Sequence, residues 1–398
     1  MSLVNETMLG LGKAPSVIRE TFEYGRARAA AIGRENVYDY SLGNPSIPAP
    51  AEVTDTLLCL LEKESPVALH GYTSAPGDPA ARTAVAEDLN RRFDAGLAPE
   101  NIYMTCGAAA SLTCTLNALV RPGDEVIVLA PYFPEYRVFV EKAGATLVTV
   151  MTTPGSFQPD AGALEAALTG RTKAVIINSP NNPTGAVYTE ASLRAMADCL
   201  RRFSEKRGEP VFLISDEPYR ELFYGEEKPA WVPHLYDAAV VCYSFSKSMS
   251  LPGERIGYVA VSPKVPQAKD VFAAVCGAGR ALGFVCAPSL MQKMVAKCPS
   301  AVSDVAAYRR NRDLLFSALS EDGFSCVPPD GAFYLFVRSP EADAAAFAAK
   351  AREFELLLVP SDSFGCPGYV RLSYCVDEEM IRRSLPAFRR LAEVYGLR

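Results

Sequence analysis

The sequence predicts an α/β fold, a mostly parallel central sheet with helices on both faces, together with a smaller α+β domain. Three observations carry that reading. Short apolar, β-branched runs recur at 125–129, 174–178, 211–215, 240–244 and 256–260, helix-length segments such as 193–203 separate several of them, and the pattern changes beyond about residue 286. Runs this apolar suit strands covered on both faces. Helices between successive strands make crossover connections and a parallel sheet the economical arrangement.

These runs fall in a large α/β domain expected at 49–285. Beyond it, a helical stretch at 305–319 precedes the apolar 331–336, a further helix and the strand-like 369–373, and Ile381, Leu385, Phe388, Leu391 and Val394 form a closing helical stripe. With the N-terminal segment these make the smaller domain, expected at 1–48 and 286–398. No internal repeat or long linker interrupts the chain.

Size and composition narrow the function classes. A chain of 398 residues with 49% hydrophobic and 22% charged content supports a large core and two domains. Its formal charge of -6 lacks the basic stripe that phosphate-backbone binding needs, so nucleic acid is not an expected partner. The eleven cysteines are scattered singly with no Cys-x-x-Cys pair, which fits neither a disulfide framework nor a zinc cluster and points to a reducing cytoplasm. No run approaches a membrane span, and the first residues lack a basic region followed by an apolar core, so a soluble, unexported protein is expected. With only His70 and His234, a histidine triad or metal site has little material, and no metal is expected.

Polar residues stand directly after several apolar runs: Asn178 and Ser179, Asp216, and Ser244 to Lys247. Ligands of open α/β sheets bind beyond the carboxyl ends of strands, so these side chains can converge on one crevice. Lys247 ends Ser244-Phe245-Ser246-Lys247, with Arg255 eight residues on. An amine, a carboxylate at Asp216, a guanidinium and two hydroxyls meet three needs of pyridoxal 5'-phosphate: a Schiff-base partner, a charge to keep the pyridine nitrogen protonated, and donors for the phosphate. Each has a plainer reading. Lys247 alone could be a solvated lysine, and Asp216 could cap the turn after a strand.

The motifs Leu42-Gly43-Asn44-Pro45, Ser179-Pro180-Asn181-Asn182-Pro183-Thr184-Gly185, Asp216-Glu217-Pro218-Tyr219, Ser244-Phe245-Ser246-Lys247 and Arg255-Ile256-Gly257 stand in one order along the chain, with Arg371 closing the series. In them the chain resembles the class I/II aminotransferases of the aspartate aminotransferase superfamily, fold type I pyridoxal phosphate enzymes. The resemblance implies that Lys247 binds the cofactor aldehyde and later acts as general base and acid, and that Asp216 faces the pyridine nitrogen. It implies that Tyr219 and Asn182 donate to the phenolate oxygen and that Phe133 stacks on the ring, where core packing is the competing reading. The turn at Gly107, Ala108 and Ala109 matches the family's phosphate cup at a helix N-terminus. Many relatives carry a hydroxyl or amine where Ala109 stands, so the phosphate leans harder on Arg255, Ser244 and Ser246.

The same resemblance implies a homodimer, because Tyr72 matches a tyrosine that reaches the neighbouring subunit's phosphate. Arg371 is the choice for the substrate's α-carboxylate, helped by Asn182 and the backbone near Gly43, with a structural ion pair as the alternative. The implied activity is transfer of an amino group from an L-amino acid to a 2-oxo acid, with 2-oxoglutarate as acceptor, by a ping-pong cycle. A β-eliminating C–S lyase on the same fold is the alternative enzyme. A cofactor-binding regulatory module would need a DNA-binding domain, for which the segment before Leu42 is too short and insufficiently basic. Aspartate, aromatic amino acids and alanine all stand as donors, and Arg19 and Arg280 are candidates for a side-chain carboxylate.

Overall fold

The structure of the chain, a computed structural model, describes residues 3–13, 16–226 and 228–398. The first two residues and residues 14 and 15 of the expected 1–48 segment therefore lie outside the described residues. In chain order the strands are β1 (Tyr38–Asp39), β2 (Ile102–Thr105), β3 (Glu125–Ala130), β4 (Thr146–Met151), β5 (Thr172–Asn178), β6 (Phe212–Asp216), β7 (Ala239–Ser244), β8 (Gly257–Val261), β9 (Tyr334–Arg338), β10 (Leu356–Leu357), β11 (Val359–Pro360) and β12 (Tyr369–Ser373).

Strands β2 to β8 form one sheet in the order β2-β8-β7-β6-β5-β3-β4. Pairing from β4 through β7 is parallel, and β8 runs antiparallel between β7 and β2. The mostly parallel sheet expected from the apolar runs is therefore present. Alternation explains why those runs are apolar throughout: Val240 and Cys242 of β7 and Val259 and Val261 of β8 enter one core, while Val241, Tyr243, Tyr258 and Ala260 enter another. Helix Ala108–Leu119 packs on the first side and helices Pro79–Phe93 and Ser289–Lys297 on the second. The edge strand β4 is half exposed, whereas β2 at the other edge is buried throughout.

The chain divides into two compact units, Pro45–Ala307 with Asp330–Ala332, and Met1–Asn44 with Tyr308–Pro329 and Phe333–Arg398. The larger unit thus runs past the boundary expected near residue 286. Met291, Met294 and Val295 of helix Ser289–Lys297 are buried with Val85 and Leu89, which ties that helix to the sheet. Residues 330–332 join the same unit because Gly331 donates to Gly185 and Ala332 to Leu222, at 2.9 and 2.8 Å. In the smaller unit β11, β12 and β9 make an antiparallel sheet, and β1 pairs with β10 in parallel. Its closing helix, Glu378–Val394, buries Ile381, Ser384, Phe388 and Leu391, whereas Val394 of the expected stripe is exposed at the last turn.

Candidate active site

Register places the polar ends of three strands side by side. Asn178 of β5 pairs with Asp216 of β6, and Asp216 with Cys242 of β7, just before Ser244 and the helical turn Phe245–Ser248 that carries Lys247. Lys247 is half-buried there. Asn178, expected in the crevice as a strand-end polar residue but given no further role, is the hub. Its amide donates to the Asp216 carbonyl at 2.9 Å, and its Oδ1 accepts from the Asn182 backbone at 2.7 Å. The turn after it is held by Asn181, whose Oδ1 accepts from both the amide and the hydroxyl of Thr184.

Asp216 is buried, and its two carboxylate oxygens differ. Oδ2 accepts from the Tyr136 hydroxyl at 2.5 Å, while Oδ1 has no hydrogen-bond partner. Burial raises its carboxyl to about 7, although the Tyr136 bond pulls down and the nearby Glu217 charge pushes up. Tyr136 is pushed well above the usual phenol range, by burial and then by the Asp216 charge, so it remains a donor. Phe133 packs edge-on against Tyr136, with ring centroids 5.8 Å apart and planes at 86°. Tyr219 is buried in the turn three residues after Asp216.

A second group of donors forms at the start of helix Ala108–Leu119. Gly107 caps it with a φ of +89°, a conformation that favours glycine. A Cβ there would stand 2.8 Å from Arg255 Nη2, and one on Gly257 would stand 3.0 Å from the Gly107 Cα. Strand, turn and guanidinium therefore meet closely. Arg255 donates from Nη1 to the Ser246 hydroxyl at 3.4 Å, and the Ser244 and Ser246 hydroxyls are 2.8 Å apart. Ala108 is half-buried and Ala109 exposed on the same turn, offering first-turn amides. Gly107, Arg255, Ser244 and Ser246 are thus one cluster, suited to a multiply charged anion.

Asp216 Oδ1 is a buried acceptor that lacks a donor, and the cluster of anion donors follows the neighbouring strand β7 through Ser244 and Ser246. A protonated pyridine ring bearing a phosphate supplies both complements, so these residues fit pyridoxal phosphate. Tyr72 is outside this gathering: it is 90% exposed, so its own chain does not enclose it. Arg280 and Arg19 are also exposed, on helices Ala268–Ala281 and Val17–Ile32.

A model of the family described as aminotransferase class I and II matches residues 35–388. The chain belongs to that family. It is accordingly an aminotransferase, a member of a pyridoxal phosphate-dependent transferase family. An amino transferase from Eubacterium rectale has a crystal structure that superposes with a TM-score of 0.97 at 54% identity, covering all of both chains. The aspartate/prephenate aminotransferase of Thermus thermophilus is 34% identical over 376 residues, 92% of this chain and 94% of the relative. A structure of the Thermus thermophilus aspartate aminotransferase with maleate has a TM-score of 0.86 at 29% identity, covering 98% of this chain and all of that one.

The smaller unit of this aminotransferase holds its own group. Arg371 on β12 is 1% exposed, donates from Nη2 to the Ser41 carbonyl, and lies over the rings of Tyr334 and Phe364, 4.6 and 5.3 Å from their centroids. Gly43 reaches the same place, for a Cβ on it would collide with the Tyr334 hydroxyl. Tyr334 thus joins Arg371 to the Gly43 segment, and in the sequence it is only an aromatic on an expected strand. Among the described residues no group of side chains could hold a metal ion, and no helix is long and apolar enough to cross a membrane.

Proposed function

We propose that the chain moves the amino group of an L-amino acid to a 2-oxo acid, with 2-oxoglutarate as acceptor, in a ping-pong cycle on pyridoxal 5'-phosphate. The observation that carries this reading is Asp216 Oδ1, a buried oxygen with no hydrogen-bond partner, at the end of the strand next to the one that leads to Lys247. A nitrogen that keeps its proton is the partner such an atom lacks. When bound, the cofactor supplies an aldehyde for imine formation and an electron-poor ring that accepts the electron pair released at the substrate's α-carbon.

The chain does the rest. Asp216 holds the ring nitrogen protonated, Tyr136 fixes the plane of that carboxylate, and Phe133 covers the ring. Tyr219 and Asn182 donate to the phenolate oxygen. The amides of Gly107, Ala108 and Ala109, with Ser244, Ser246, Arg255 and a second copy's Tyr72, hold the phosphate. Lys247 Nζ would hold the cofactor aldehyde and, once the substrate's amine has displaced it, would take the α-proton and return it. Arg371, with Asn182 and the Gly43 backbone, takes the substrate carboxylate, for which a planar fork is suited. The shared phosphate site makes the enzyme a twofold homodimer. Its eleven free thiols suit a cytoplasmic enzyme.

Relatives named for aspartate and prephenate, and one that binds the dicarboxylate maleate, make aspartate the first donor to test. A second cation would then meet the distal carboxylate, and Arg280 and Arg19 are the residues to vary. The deciding assay sets a panel of amino donors against 2-oxoglutarate and follows cofactor absorbance in single turnover. Lys247→Ala should lose the imine absorbance and nearly all turnover, and normal turnover by that variant would refute the role of Lys247. Pyruvate and ammonia from cystathionine, formed without an oxo-acid acceptor, would instead identify a C–S lyase.

A further inference from the structure

Strand β6 leads into three consecutive polar residues whose side chains alternate across the sheet. Ser215 and Glu217 share one face, the Ser215 hydroxyl donating to Glu217 Oε1 at 2.6 Å, while Asp216 turns to Tyr136 on the other. Both carboxylates are 4% exposed. The Glu217 charge on the adjacent buried residue disfavours the ionised form of Asp216. Arg220, 3% exposed, donates from Nε to Glu217 Oε2 and from Nη1 to the Tyr258 hydroxyl at 2.9 Å. Its guanidinium lies 4.6 Å from the centroid of the Tyr243 ring, 5.2 Å from Trp231 and 5.5 Å from Phe93. A buried arginine held on three rings, away from the face that Asp216 presents, has no place in the reaction derived above.

We propose that Arg220 is a positioning residue: by holding Glu217 in a balanced ion pair on one face of β6, it leaves Asp216 free to be the ionised carboxylate on the other. The proposal rests on the aminotransferase reading and adds a group that touches neither substrate nor cofactor. Charged and titratable neighbours of Arg220 are Glu217, Glu221, Tyr243 and Tyr258, with Arg92 bridging Glu221 and Asp88 behind them. Those around Asp216 are Tyr136, Cys242 and Glu217, with Tyr188 and Tyr219 facing Tyr136. Only Glu217 belongs to both groups.

The sign follows from that shared neighbour. Asp216 ionises as pH rises through about 7, and Glu217's charge pushes this point upward. Without the Arg220 cation the push strengthens, so Asp216 is neutral at a higher pH and the site loses its anion there. Without the Glu217 anion the push vanishes and Arg220 remains, so the shift has the opposite sign.

The test is the dissociation constant of pyridoxal phosphate, read by absorbance across the range from about pH 5 to about pH 9, for wild type, Arg220→Gln, Glu217→Gln and the double variant. The acid-side loss of affinity should move up by about one pH unit in Arg220→Gln, a weakening of about tenfold at neutral pH, and move down in Glu217→Gln. The double variant, balanced again, should return to within about threefold of wild type. An unshifted Arg220→Gln, shifts of the same sign in both single variants, or a double variant no better than Arg220→Gln would each overturn the proposal. Should Arg220→Gln fail to fold, the double variant decides: wild-type titration supports charge balance and its loss overturns it. A wild type that binds no pyridoxal phosphate would sink the parent reading before any variant is compared.

Discussion

Asp216 is an expensive residue for the protein without its cofactor. Burial lifts its carboxyl from 3.8 to about 7, so the folded chain holds the proton more tightly than the unfolded chain does. Stability from this group is therefore undiminished below about pH 4, falls as pH rises toward 7, and stays reduced above that. The full rise corresponds to at most about 4 kcal/mol. Asparagine at this position keeps an oxygen for Tyr136 and never ionises. Chemical denaturation of cofactor-free Asp216→Asn should show a protein more stable than wild type at pH 8, by up to about that amount, with the two converging toward pH 4. Its affinity for pyridoxal phosphate should fall steeply. A wild type that is the more stable of the two at pH 8 would show that the carboxylate is already compensated in the empty site.

At the scale of elements, the strands that carry the site rest on helices whose ends are closed by side chains. Asp78 opens helix Pro79–Phe93, accepting from the amides of Ala80 and Ala81 at 2.8 and 3.3 Å, with Pro79 in the first turn. Asp78→Ala should cost about 1 kcal/mol, seen as a fall in Tm of about 1–2 °C, with cofactor affinity unchanged. Loss of cofactor binding at permissive temperature would instead tie this cap to the site. Elements of this kind were unevenly legible in the sequence. The runs that became β3, β5, β6, β7 and β8 stood out because both faces are covered, which forces an unbroken apolar stretch. Strand β2 did not: four residues that include Tyr103 and Thr105 look like any loop margin, and their burial comes from the cores on the two faces of the sheet, Tyr103 entering one and Ile102 and Met104 the other. Strand β4 did not either, since an exposed edge asks for no apolar run. The same split runs through the site. Asn178, Asp216 and Lys247 could be found because each ends or directly follows a strand, whereas Tyr136 and Arg220 depend on packing between segments far apart in sequence. The boundary near residue 286 was misplaced for a related reason, because the amphipathic helix Ser289–Lys297 shows an apolar face without showing which sheet it covers.

For the molecule as a whole, the larger unit leaves apolar side chains in water close to Tyr72 in sequence. Leu58, Leu61 and Val67 are all exposed on helices Ala51–Lys63 and Pro66–His70, and helix Glu6–Lys13 of the smaller unit buries none of its residues. Exposed apolar side chains mark contact surfaces, and in the proposed function a second copy of the chain is the partner that gives Tyr72 its role. If each active site takes Lys247 from one subunit and Tyr72 from the other, two defective variants can repair each other. Lys247→Ala alone should be inactive, and Tyr72→Ala should lose about tenfold to a hundredfold through one missing hydrogen bond to a charged phosphate. In a hybrid of the two, one site lacks both residues and the other lacks neither. Random reassociation of an equal mixture places half the chains in hybrids, so the mixture should recover about a quarter of wild-type turnover. Activity no greater than the sum of the separate variants, measured after subunit exchange is verified by mass, would show that Tyr72 does not serve the neighbouring site.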